Sequence, residues 1–333
     1  MNVAISGFGR IGRNFLRAVL EDPQALKKIN IVAINVGPAK LNAVAHMFKY
    51  DTLMGTYKET VEMQGDELCV GQHRFKILTA LDPATLNWSK YNIDWVVESS
   101  GHFTKREGAQ KHLQAGAKRV LITAPAKDED VTIVPGVNDA SYDPKKDFIV
   151  SLGSCTTNAF LTMLKVLHDE FTIERCFMTT VHAYTNTQVL LDVEGEDLRR
   201  SRAAAVNIIP TTTGAMQVMG KVIPDLMGCV EAVAIRVPVT KGSLIDLSFL
   251  TKKPLHIDAI NAAFIAASQG HMKGILGITM EPLVSSDFNG DSRSCIIDGL
   301  LTTTCGMNMG KAFGWYDNEW GYSCRLKSFL MSV

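Results

Sequence analysis

A cysteine at a predicted helix start is the residue of this chain best suited to covalent chemistry. Cys155 lies in the run S-C-T-T-N at 154–158, directly after a β-type stretch at 148–151. A helix N-terminus presents unpaired N–H groups and the positive end of the helix dipole, and both favour an anion. Because cysteine attacks as a thiolate, we expect its pKa to be lowered from about 8.5. The alternative is a small buried thiol, since free cysteine is among the most buried residue types.

A histidine further along the chain is the predicted proton acceptor for this thiol. His182 lies in a second β-type stretch, the run T-T-V-H-A-Y-T-N at 179–186. An imidazole within hydrogen-bond reach activates a thiol nucleophile. Taken alone, His182 is better explained as a hydrogen-bonded core residue, so the pair gains meaning only beside a cofactor or substrate site.

The first residues of the chain predict a dinucleotide site. A short apolar strand at 3–5 is followed by G-F-G-R-I-G at 7–12 and by apolar residues at helical spacing. This strand, glycine turn and helix form the context that makes the motif informative. The glycines allow the backbone to approach a pyrophosphate at the helix N-terminus. The predicted cofactor-binding residues here are Gly7, Gly9, Arg10, Ile11 and Gly12.

The second predicted strand, at 30–35, ends without the acidic residue that binds the adenine ribose in NAD-binding folds. Val36 occupies the expected place, and no Asp or Glu occurs between 23 and 50. Because no carboxylate would repel a 2′-phosphate and Lys40 could meet one, we predict NAD or NADP as cofactor. The alternative is that Asn35 and backbone groups bind the ribose and Lys40 is a solvated charge.

Length and composition limit the class of protein. The 333 residues exceed one ordinary core, which predicts two domains. Lys+Arg and Asp+Glu both total 34, so no basic excess suggests nucleic acid. The seven cysteines suit a reducing compartment, and no apolar run approaches the ~20 residues that cross a bilayer. We expect a cytoplasmic protein with no metal site and with neither nucleic acid nor membrane as a partner.

The order of predicted elements indicates an α/β chain with two kinds of sheet. Predicted strands at 95–98, 119–123 and 148–150, with a helix at 105–115, indicate a Rossmann-like doubly wound parallel sheet. Ligands bind at the carboxyl ends of such strands, so Ser100 and Thr123 are predicted to line the cofactor cleft, with ordinary turn residues as the alternative.

The second half of the chain predicts an α+β catalytic domain with a mainly antiparallel sheet. Its β-type runs lie at 230–239, 243–251, 295–304 and 311–316, and its helical patterns lie at 155–170, 214–226 and 258–268. We place the dinucleotide-binding domain at 1–151, joined by a C-terminal helix at 320–333, and the catalytic domain at 152–319.

A third group of residues suggests a phosphorylated substrate. The run D-L-R-R-S-R lies at 197–202, T-T-T-G lies at 211–214, and Arg236 lies on a predicted strand. Arginine forks, threonine hydroxyls and helix-start N–H groups are the parts that phosphate sites use. The alternative is a solvated charge run paired with Glu194, Glu196 and Asp197. A thiol, a base and a dinucleotide together predict oxidation of an aldehyde through a thioester.

The chain resembles the phosphorylating glyceraldehyde-3-phosphate dehydrogenases over its whole length. Eight ordered motifs carry the resemblance: G-F-G-R-I-G-R at 7–13, K-Y-D at 49–51, S-C-T-T-N at 154–158, T-T-V-H-A-Y-T-N at 179–186, D-L-R-R-S-R-A-A-A at 197–205, I-I-P-T-T-T-G-A at 208–215, R-V-P at 236–238 and W-Y-D-N-E-W-G-Y at 315–322. The resemblance implies that Cys155 is the nucleophile and His182 the general base.

The resemblance also implies two phosphate subsites, a nicotinamide contact and an assembly. The subsite for the C3 phosphate of glyceraldehyde 3-phosphate is matched by Thr185 and Arg236. The subsite for inorganic phosphate is matched by Ser154, Thr156, Arg200, Thr213 and Gly214. Asn318 matches the side chain that orients the nicotinamide carboxamide, and Tyr322 lies near it. Residues 184–206 match a loop that reaches a neighbouring subunit, so the resemblance implies a homotetramer.

Several positions depart from the family pattern. Val36 stands where NAD-preferring members carry Asp, whereas Glu194 could replace that acid from a neighbouring subunit and oppose NADP use. Thr187 replaces a frequent Asp, and Lys241 replaces a common Asn. Two alternatives stay open: an erythrose-4-phosphate dehydrogenase on the same scaffold, which releases its thioester to water, and a non-catalytic sensor that binds the dinucleotide.

Overall fold

The computed structural model describes residues 1–333, which divide into two compact units. The first unit contains Met1–Ile133, Ala140–Gly153 and Leu326–Val333, and the second contains Val134–Asp139 and Ser154–Arg325. None of the eight α-helices is long and apolar enough to span a bilayer.

The first unit has nine strands and four α-helices. The strands are β1 (Asn2–Ser6), β2 (Asn30–Asn35), β3 (Val61–Gln64), β4 (Glu67–Val70), β5 (His73–Leu78), β6 (Trp95–Glu98), β7 (Arg119–Ile122), β8 (Val131–Thr132) and β9 (Ile149–Ser151). The helices are α1 (Arg10–Leu20), α2 (Pro23–Lys28), α3 (Leu41–Lys49) and α4 (Arg106–Gln114).

The sheet of the first unit has the strand order β3-β4-β5-β2-β1-β6-β7-β9-β8. Strand β1 pairs in parallel with β2 on one side and β6 on the other, which confirms the doubly wound parallel sheet. The carboxyl ends of β1, β2, β6 and β7 therefore lie at one edge of the sheet, where such folds bind ligands. Four strands of this sheet were not predicted: β3, β4, β5 and β8. Strands β3 and β4 extend the far side as an antiparallel hairpin leading into β5.

The second unit has eight strands and four α-helices. The strands are β10 (Ile173–Ala183), β11 (Ile209–Thr211), β12 (Val230–Val237), β13 (Ser243–Thr251), β14 (Leu276–Thr279), β15 (Cys295–Asp298), β16 (Thr303–Cys305) and β17 (Met309–Tyr316). The helices are α5 (Cys155–Phe171), α6 (Ala215–Val222), α7 (Ile257–Gln269) and α8 (Trp320–Ser332), the last of which contributes Leu326–Ser332 to the first unit.

The sheet of the second unit has the order β11-β12-β10-β13-β17-β15-β14, with β16 paired to β17. Most neighbours are antiparallel, which confirms the predicted sheet type, but β10 pairs in parallel with β12. This register places His182 directly beside Arg236. Helix α5 packs its apolar side into the core of this unit through residues such as Phe160, Leu164 and Leu167.

Two predicted elements of the second unit are shorter than expected. The run at 295–304 is two strands, β15 and β16, separated by a turn at 299–302. The helical pattern at 214–226 is α6 followed by a separate 3₁₀ turn, Pro224–Leu226. Pro224 ends the longer pattern because proline lacks the N–H of a helix interior and disfavours helical geometry in the residue before it.

The turn between β1 and α1 requires glycine at Gly7. Its φ is +93°, and an added β-carbon would collide with the backbone of Ser100. Gly9, two residues on, has an extended conformation with φ −74°, and a β-carbon there would meet nothing within 4 Å. The turn therefore packs against the Ser100 backbone at Gly7, whereas no protein atom crowds the position of a side chain at Gly9.

This difference predicts that an alanine substitution destabilises the protein at Gly7 but not at Gly9. We expect Gly7→Ala to lower the free energy of unfolding by about 2 kcal/mol or more, since it adds both left-handed strain and a backbone collision. Gly9→Ala should change it by less than about 1 kcal/mol. Thermal and chemical unfolding of both variants provide the measurement, and equal stability of the two variants would contradict the described turn.

Candidate functional site

In the first unit, the predicted dinucleotide residues lie around the turn after β1. The Gly7 N–H donates to the carbonyl oxygen of Asn35 at 2.9 Å, which ties this turn to the end of β2. Gly12 is buried in the first turn of α1, and Ile11 is partly buried. The Arg10 guanidinium forms an ion pair with Asp51. The backbone N–H groups at the start of α1 face no acidic side chain within the helix's first turn.

The Asn35 side chain forms two hydrogen bonds within the protein. It is buried, its Nδ2 donates to the carbonyl oxygen of Ala80 at 3.1 Å, and its Oδ1 accepts from the Gly37 N–H at 3.4 Å. These two bonds leave one N–H group of the amide for another acceptor, so binding of the ribose by this side chain stays a prediction. Val36 and the exposed Lys40 follow it in the connection to α3.

A buried hydrogen-bond chain holds the Ser100 turn at the end of β6. Glu98 accepts from the Ser100 N–H at 2.8 Å and from the Ser100 hydroxyl, and its other oxygen lies 2.9 Å from His112 Nε2. Trp88 donates to His112 Nδ1 at 3.0 Å. Because an indole N–H can only donate, Nδ1 accepts and Nε2–H donates to Glu98. Thr123, at the end of β7, donates its N–H to the Glu98 carbonyl oxygen at 3.0 Å.

In the second unit, Cys155 is the first residue of α5. Ser154 caps this helix, since its hydroxyl oxygen accepts from the Thr157 N–H at 3.1 Å. The Cys155 Sγ lies 3.5 Å from His182 Nε2, within hydrogen-bond distance for sulfur. The two residues singled out in the sequence are therefore side by side, at a helix N-terminus on one side and near the end of β10 on the other.

Burial dominates the electrostatics of this pair. Cys155 is partly buried, and desolvation raises the pKa of its thiol, while Arg236 and hydrogen bonds from Thr156 act in the opposite direction. The expectation of a lowered cysteine pKa was therefore wrong, because desolvation outweighs Arg236 and these hydrogen bonds. Burial also lowers the pKa of His182 to about 3, and the charge of Arg236 adds to this effect.

A proton transfer within the pair avoids the cost of either charge alone. When the proton moves from Cys155 Sγ to His182 Nε2, the net charge of the pair is unchanged and two opposite charges face each other across 3.5 Å. Such a pair titrates as a unit rather than as two separate groups. The thiolate therefore depends on His182 as its proton acceptor.

Contacts at the other ring nitrogen orient the imidazole. His182 Nδ1 lies 2.6 Å from the Ala183 carbonyl oxygen and 2.6 Å from Arg236 Nη1. Arg236 Nη1 also donates to that carbonyl oxygen at 2.9 Å. If Nδ1 accepts from Arg236, Nε2 carries the ring proton; if Nδ1 donates to the Ala183 carbonyl, the Nε2 lone pair faces the sulfur. Activation of the thiol uses the second tautomer.

Two arginines make this part of the unit electropositive. Burial lowers the pKa of the Arg236 guanidinium, and the charge of Arg200 acts in the same direction. Arg200 Nε donates to Thr211 Oγ1 at 2.7 Å, and its guanidinium lies 3.3 Å from Asp197. Asp197 thus neutralises only part of the positive charge, and this region is suited to an anion.

The remaining candidate phosphate ligands lie on loops and helix starts. Thr213 Oγ1 accepts from the Ala215 N–H at 3.2 Å, and Gly214 directly precedes α6. Thr185 Oγ1 lies 3.0 Å from Thr187 Oγ1, and no hydrogen bond joins Thr185 to Arg236. The structure thus brings Arg200 to the turn at 211–214 and Arg236 to His182, and it leaves Thr185 with a separate partner.

Of the nicotinamide candidates, Asn318 lies between β17 and α8, and Tyr322 lies in the first turn of α8. Asn318 Oδ1 accepts from the Gly242 N–H at 3.1 Å and from Ser243 Oγ at 3.3 Å. Tyr322 is buried, and desolvation raises the pKa of its phenol.

Sequence analysis missed the tyrosine that supports the Cys155 helix. The Tyr316 hydroxyl lies 3.0 Å from Thr156 Oγ1 and 2.8 Å from Thr180 Oγ1, so it links α5 to β10 beside the thiol. Tyr316 ends a β-type run, and nothing in its local pattern distinguishes it from a core aromatic residue.

The pairing of Cys155 and His182 predicts the effect of removing the imidazole. We expect His182→Asn to slow alkylation of Cys155 by iodoacetamide at pH 7 by about tenfold or more, because the partly buried thiol loses its proton acceptor. The rate should recover only as the pH rises above the ordinary thiol range. Labelled peptides quantified by mass spectrometry give the rate at each pH.

The exposed His271 offers a matched control, since His271→Asn should leave the alkylation rate unchanged. An unchanged rate in His182→Asn, with the variant folded, would show that the thiol ionises without the imidazole.

Comparison with known proteins shows the family of this chain. The family model described as glyceraldehyde 3-phosphate dehydrogenase, NAD binding domain, matches residues 1–106, and the model of the C-terminal domain matches residues 154–318. The chain is 48% identical over 326 residues to the glyceraldehyde-3-phosphate dehydrogenase of Geobacillus stearothermophilus, covering 98% of this chain and 96% of that protein. It is 49% identical over 335 residues to that of Streptomyces coelicolor, covering 100% and 98%. The chain belongs to the glyceraldehyde-3-phosphate dehydrogenase family.

Proposed function

We propose that this protein oxidises glyceraldehyde 3-phosphate to 1,3-bisphosphoglycerate, with inorganic phosphate as acyl acceptor and NAD or NADP as hydride acceptor. The contact between Cys155 Sγ and His182 Nε2 at the start of α5 is the observation that carries this proposal. It supplies a nucleophile and a base in a chain that belongs to the family and contains a dinucleotide turn.

The residues of the first unit suit a dinucleotide. Space for a pyrophosphate is available beside Gly9, where a β-carbon would meet nothing within 4 Å, and the backbone N–H groups of α1 begin there. Gly7, Gly9, Arg10, Ile11 and Gly12 are proposed to hold this part of the cofactor, with Ser100 and Thr123 at neighbouring strand ends and Asn318 and Tyr322 at the nicotinamide. When bound, the cofactor accepts the hydride from the substrate.

The chain's own residues account for the other steps. Cys155 Sγ forms a bond to the aldehyde carbon while its proton passes to His182 Nε2, which then donates to the developing oxyanion. Loss of hydride from that carbon and return of the hydroxyl proton to His182 leave a thioester on Cys155. Inorganic phosphate attacks the thioester, and Sγ leaves as the thiolate, which restores the starting pair.

The two arginines are proposed to bind the two phosphate groups. Arg236, beside His182, would hold the C3 phosphate of the substrate together with Thr185. Arg200 would hold inorganic phosphate with Ser154, Thr156, Thr213 and Gly214. The hydrogen bonds from Arg200 to Thr211 and Thr212 support this assignment, because they orient the guanidinium at the turn that contains Thr213.

The phosphate proposal predicts a specific dependence. With glyceraldehyde 3-phosphate as substrate, we expect the steady-state rate to require added phosphate or arsenate, and Arg200→Leu to raise the KM for phosphate by about tenfold or more, since a charged hydrogen-bonding partner is lost. Initial rates of NAD(P)H formation at varied phosphate provide the measurement.

A phosphate-independent rate would favour release of the thioester to water, as in an erythrose-4-phosphate dehydrogenase. A protein that binds the dinucleotide and oxidises neither aldehyde would favour the sensor. Lys58→Leu, which removes an exposed cation of the first unit, is a charge-matched control and should leave the KM for phosphate unchanged.

We propose that NADP is accepted alongside NAD. Val36 provides no carboxylate to repel a 2′-phosphate, the uncharged Asn35 side chain hydrogen-bonds to Ala80 and Gly37, and the exposed Lys40 directly precedes α3. Glu194 of a neighbouring subunit is the group that could oppose NADP binding. The ratio of kcat/KM for NADP to kcat/KM for NAD measures which effect is larger.

The absence of an acidic residue at Val36 predicts how an aspartate there would change the use of the two cofactors. We expect Val36→Asp to lower kcat/KM for NADP by about tenfold or more and to change that for NAD by about twofold at most, because a carboxylate repels the 2′-phosphate but accepts from a 2′-hydroxyl. Asn30→Asp adds the same charge at the opposite end of β2 and is the matched control. An equal effect of Val36→Asp on both cofactors would contradict the assigned pocket.

We further propose that the protein is a homotetramer in the cytoplasm. Phe177 on β10 and Val233 on β12 are 70% and 53% exposed, and three leucines of the loop at 184–206 are also exposed: Leu190, Leu191 and Leu198. Apolar surface of this extent is typical of a contact surface, and the loop matches the family segment that reaches a neighbouring subunit. The seven cysteines are all free thiols, which supports a reducing compartment.

A further inference from the structure

A buried ion pair near the start of α8 has no role in the function proposed so far. The Lys241 side chain is only 4% exposed, and its Nζ lies 2.8 Å from Oδ2 of Asp317, which is fully buried. Burying two charges has a high desolvation cost, and such pairs are best understood where they specify one local geometry. Lys241 is also one of the positions at which this chain departs from the pattern of its family.

The Asp317 carboxylate is the centre of this geometry. Its Oδ1 accepts from the N–H groups of Glu319 and Trp320, at 3.0 and 2.9 Å, and so caps the start of α8. Its Oδ2 accepts from the Gly290 N–H at 2.8 Å. These bonds hold the chain between β17 and α8, and Lys241 supplies the cation that balances the buried carboxylate.

The next residue, Asn318, is held by the same segment of chain. The Gly242 N–H and the Ser243 hydroxyl both donate to Asn318 Oδ1, so the consecutive residues 241–243 contact the consecutive residues 317 and 318. With Oδ1 engaged in this way, the orientation of the amide is fixed. Its Nδ2 has no protein acceptor, so its two N–H groups are available to an external acceptor.

This amide is connected to the Cys155–His182 pair through short contacts. Ser243 Oγ accepts from the Ala183 N–H at 3.2 Å, and the Ala183 carbonyl oxygen is the partner of His182 Nδ1. Tyr316, directly before Asp317, contacts Thr156 beside Cys155. The free N–H groups of Asn318 therefore belong to the same cluster as the reacting sulfur.

We propose that Lys241 is a positioning residue for the cofactor: its ion pair with Asp317 fixes the Asn318 amide so that Nδ2 meets the carboxamide oxygen of the nicotinamide ring. The proposal rests on the function proposed above. It predicts that binding of the nicotinamide end of the cofactor, and not of the ADP-ribose end, depends on Lys241. Lys241→Met is the variant that tests it, because methionine keeps much of the side-chain volume and removes the charge.

The test is equilibrium binding rather than turnover. We expect Lys241→Met to raise the Kd of NAD by about tenfold, because about one oriented hydrogen bond is lost. The Kd of ADP-ribose should change by about twofold at most. Isothermal titration calorimetry of the full-length protein measures both ligands. Lys311→Met is the matched control, since it breaks a half-exposed ion pair with Asp246 on the same sheet and should change neither Kd.

The outcomes separate this inference from the proposed function. Unchanged NAD binding in Lys241→Met, or an equal loss for NAD and ADP-ribose, would overturn the positioning role. A wild-type protein that binds neither ligand would instead overturn the proposed function. If Lys241→Met does not fold, Lys241→Gln decides: its amide can still donate to Asp317, so a smaller loss specific to NAD is expected, and no difference between the ligands overturns the proposal.

Discussion

The second unit is organised around one partly buried contact, between Cys155 Sγ and His182 Nε2. Burial raises the pKa of the thiol and lowers that of the imidazole, so neither residue carries a stable charge alone. A thiolate arises only by transfer of the proton between them, and such a transfer requires a fixed distance. The apolar packing of α5 and the Tyr316 hydroxyl, which contacts both Thr156 and Thr180, provide that rigidity. Desolvation thus makes the pair interdependent.

Arg236 acts on the two members of this pair in opposite directions. Its charge lowers the pKa of Cys155, which favours the thiolate, and it also lowers the pKa of His182, which disfavours the imidazolium. An anion bound to the guanidinium would weaken both effects. Under the proposed function, the substrate phosphate is that anion, so binding of substrate would ease protonation of His182 at the step where the aldehyde arrives. One cation therefore links substrate recognition to activation of the nucleophile.

Local signals explain what the sequence could predict, and long-range pairing explains what it could not. Gly7 and Cys155 each stand at a strand-to-helix junction, which short apolar and helical patterns reveal directly. The contact of Arg236 with His182 depends on the parallel register of β10 and β12, which no local pattern specifies. The Cys155 pKa was misjudged for a related reason, since it depends on burial by surrounding atoms, which outweighs the charge of Arg236 and the hydrogen bonds from Thr156. The hydrogen bond from Asn35 Nδ2 to the Ala80 carbonyl oxygen is likewise a contact with a distant segment.

The two ends of the proposed cofactor would be held by different physical means. At the turn after β1, the backbone itself would bind the cofactor, and a collision with Ser100 makes glycine necessary at Gly7. At Asn318, a side-chain amide must be oriented, and its orientation depends on residues 241–243 and on a buried charge pair. Backbone geometry tolerates little change in residue type, whereas a side-chain support can be rebuilt from different chemistry. Lys241 is a support of this kind under the proposed role, because its ion pair with Asp317 holds the chain directly before Asn318.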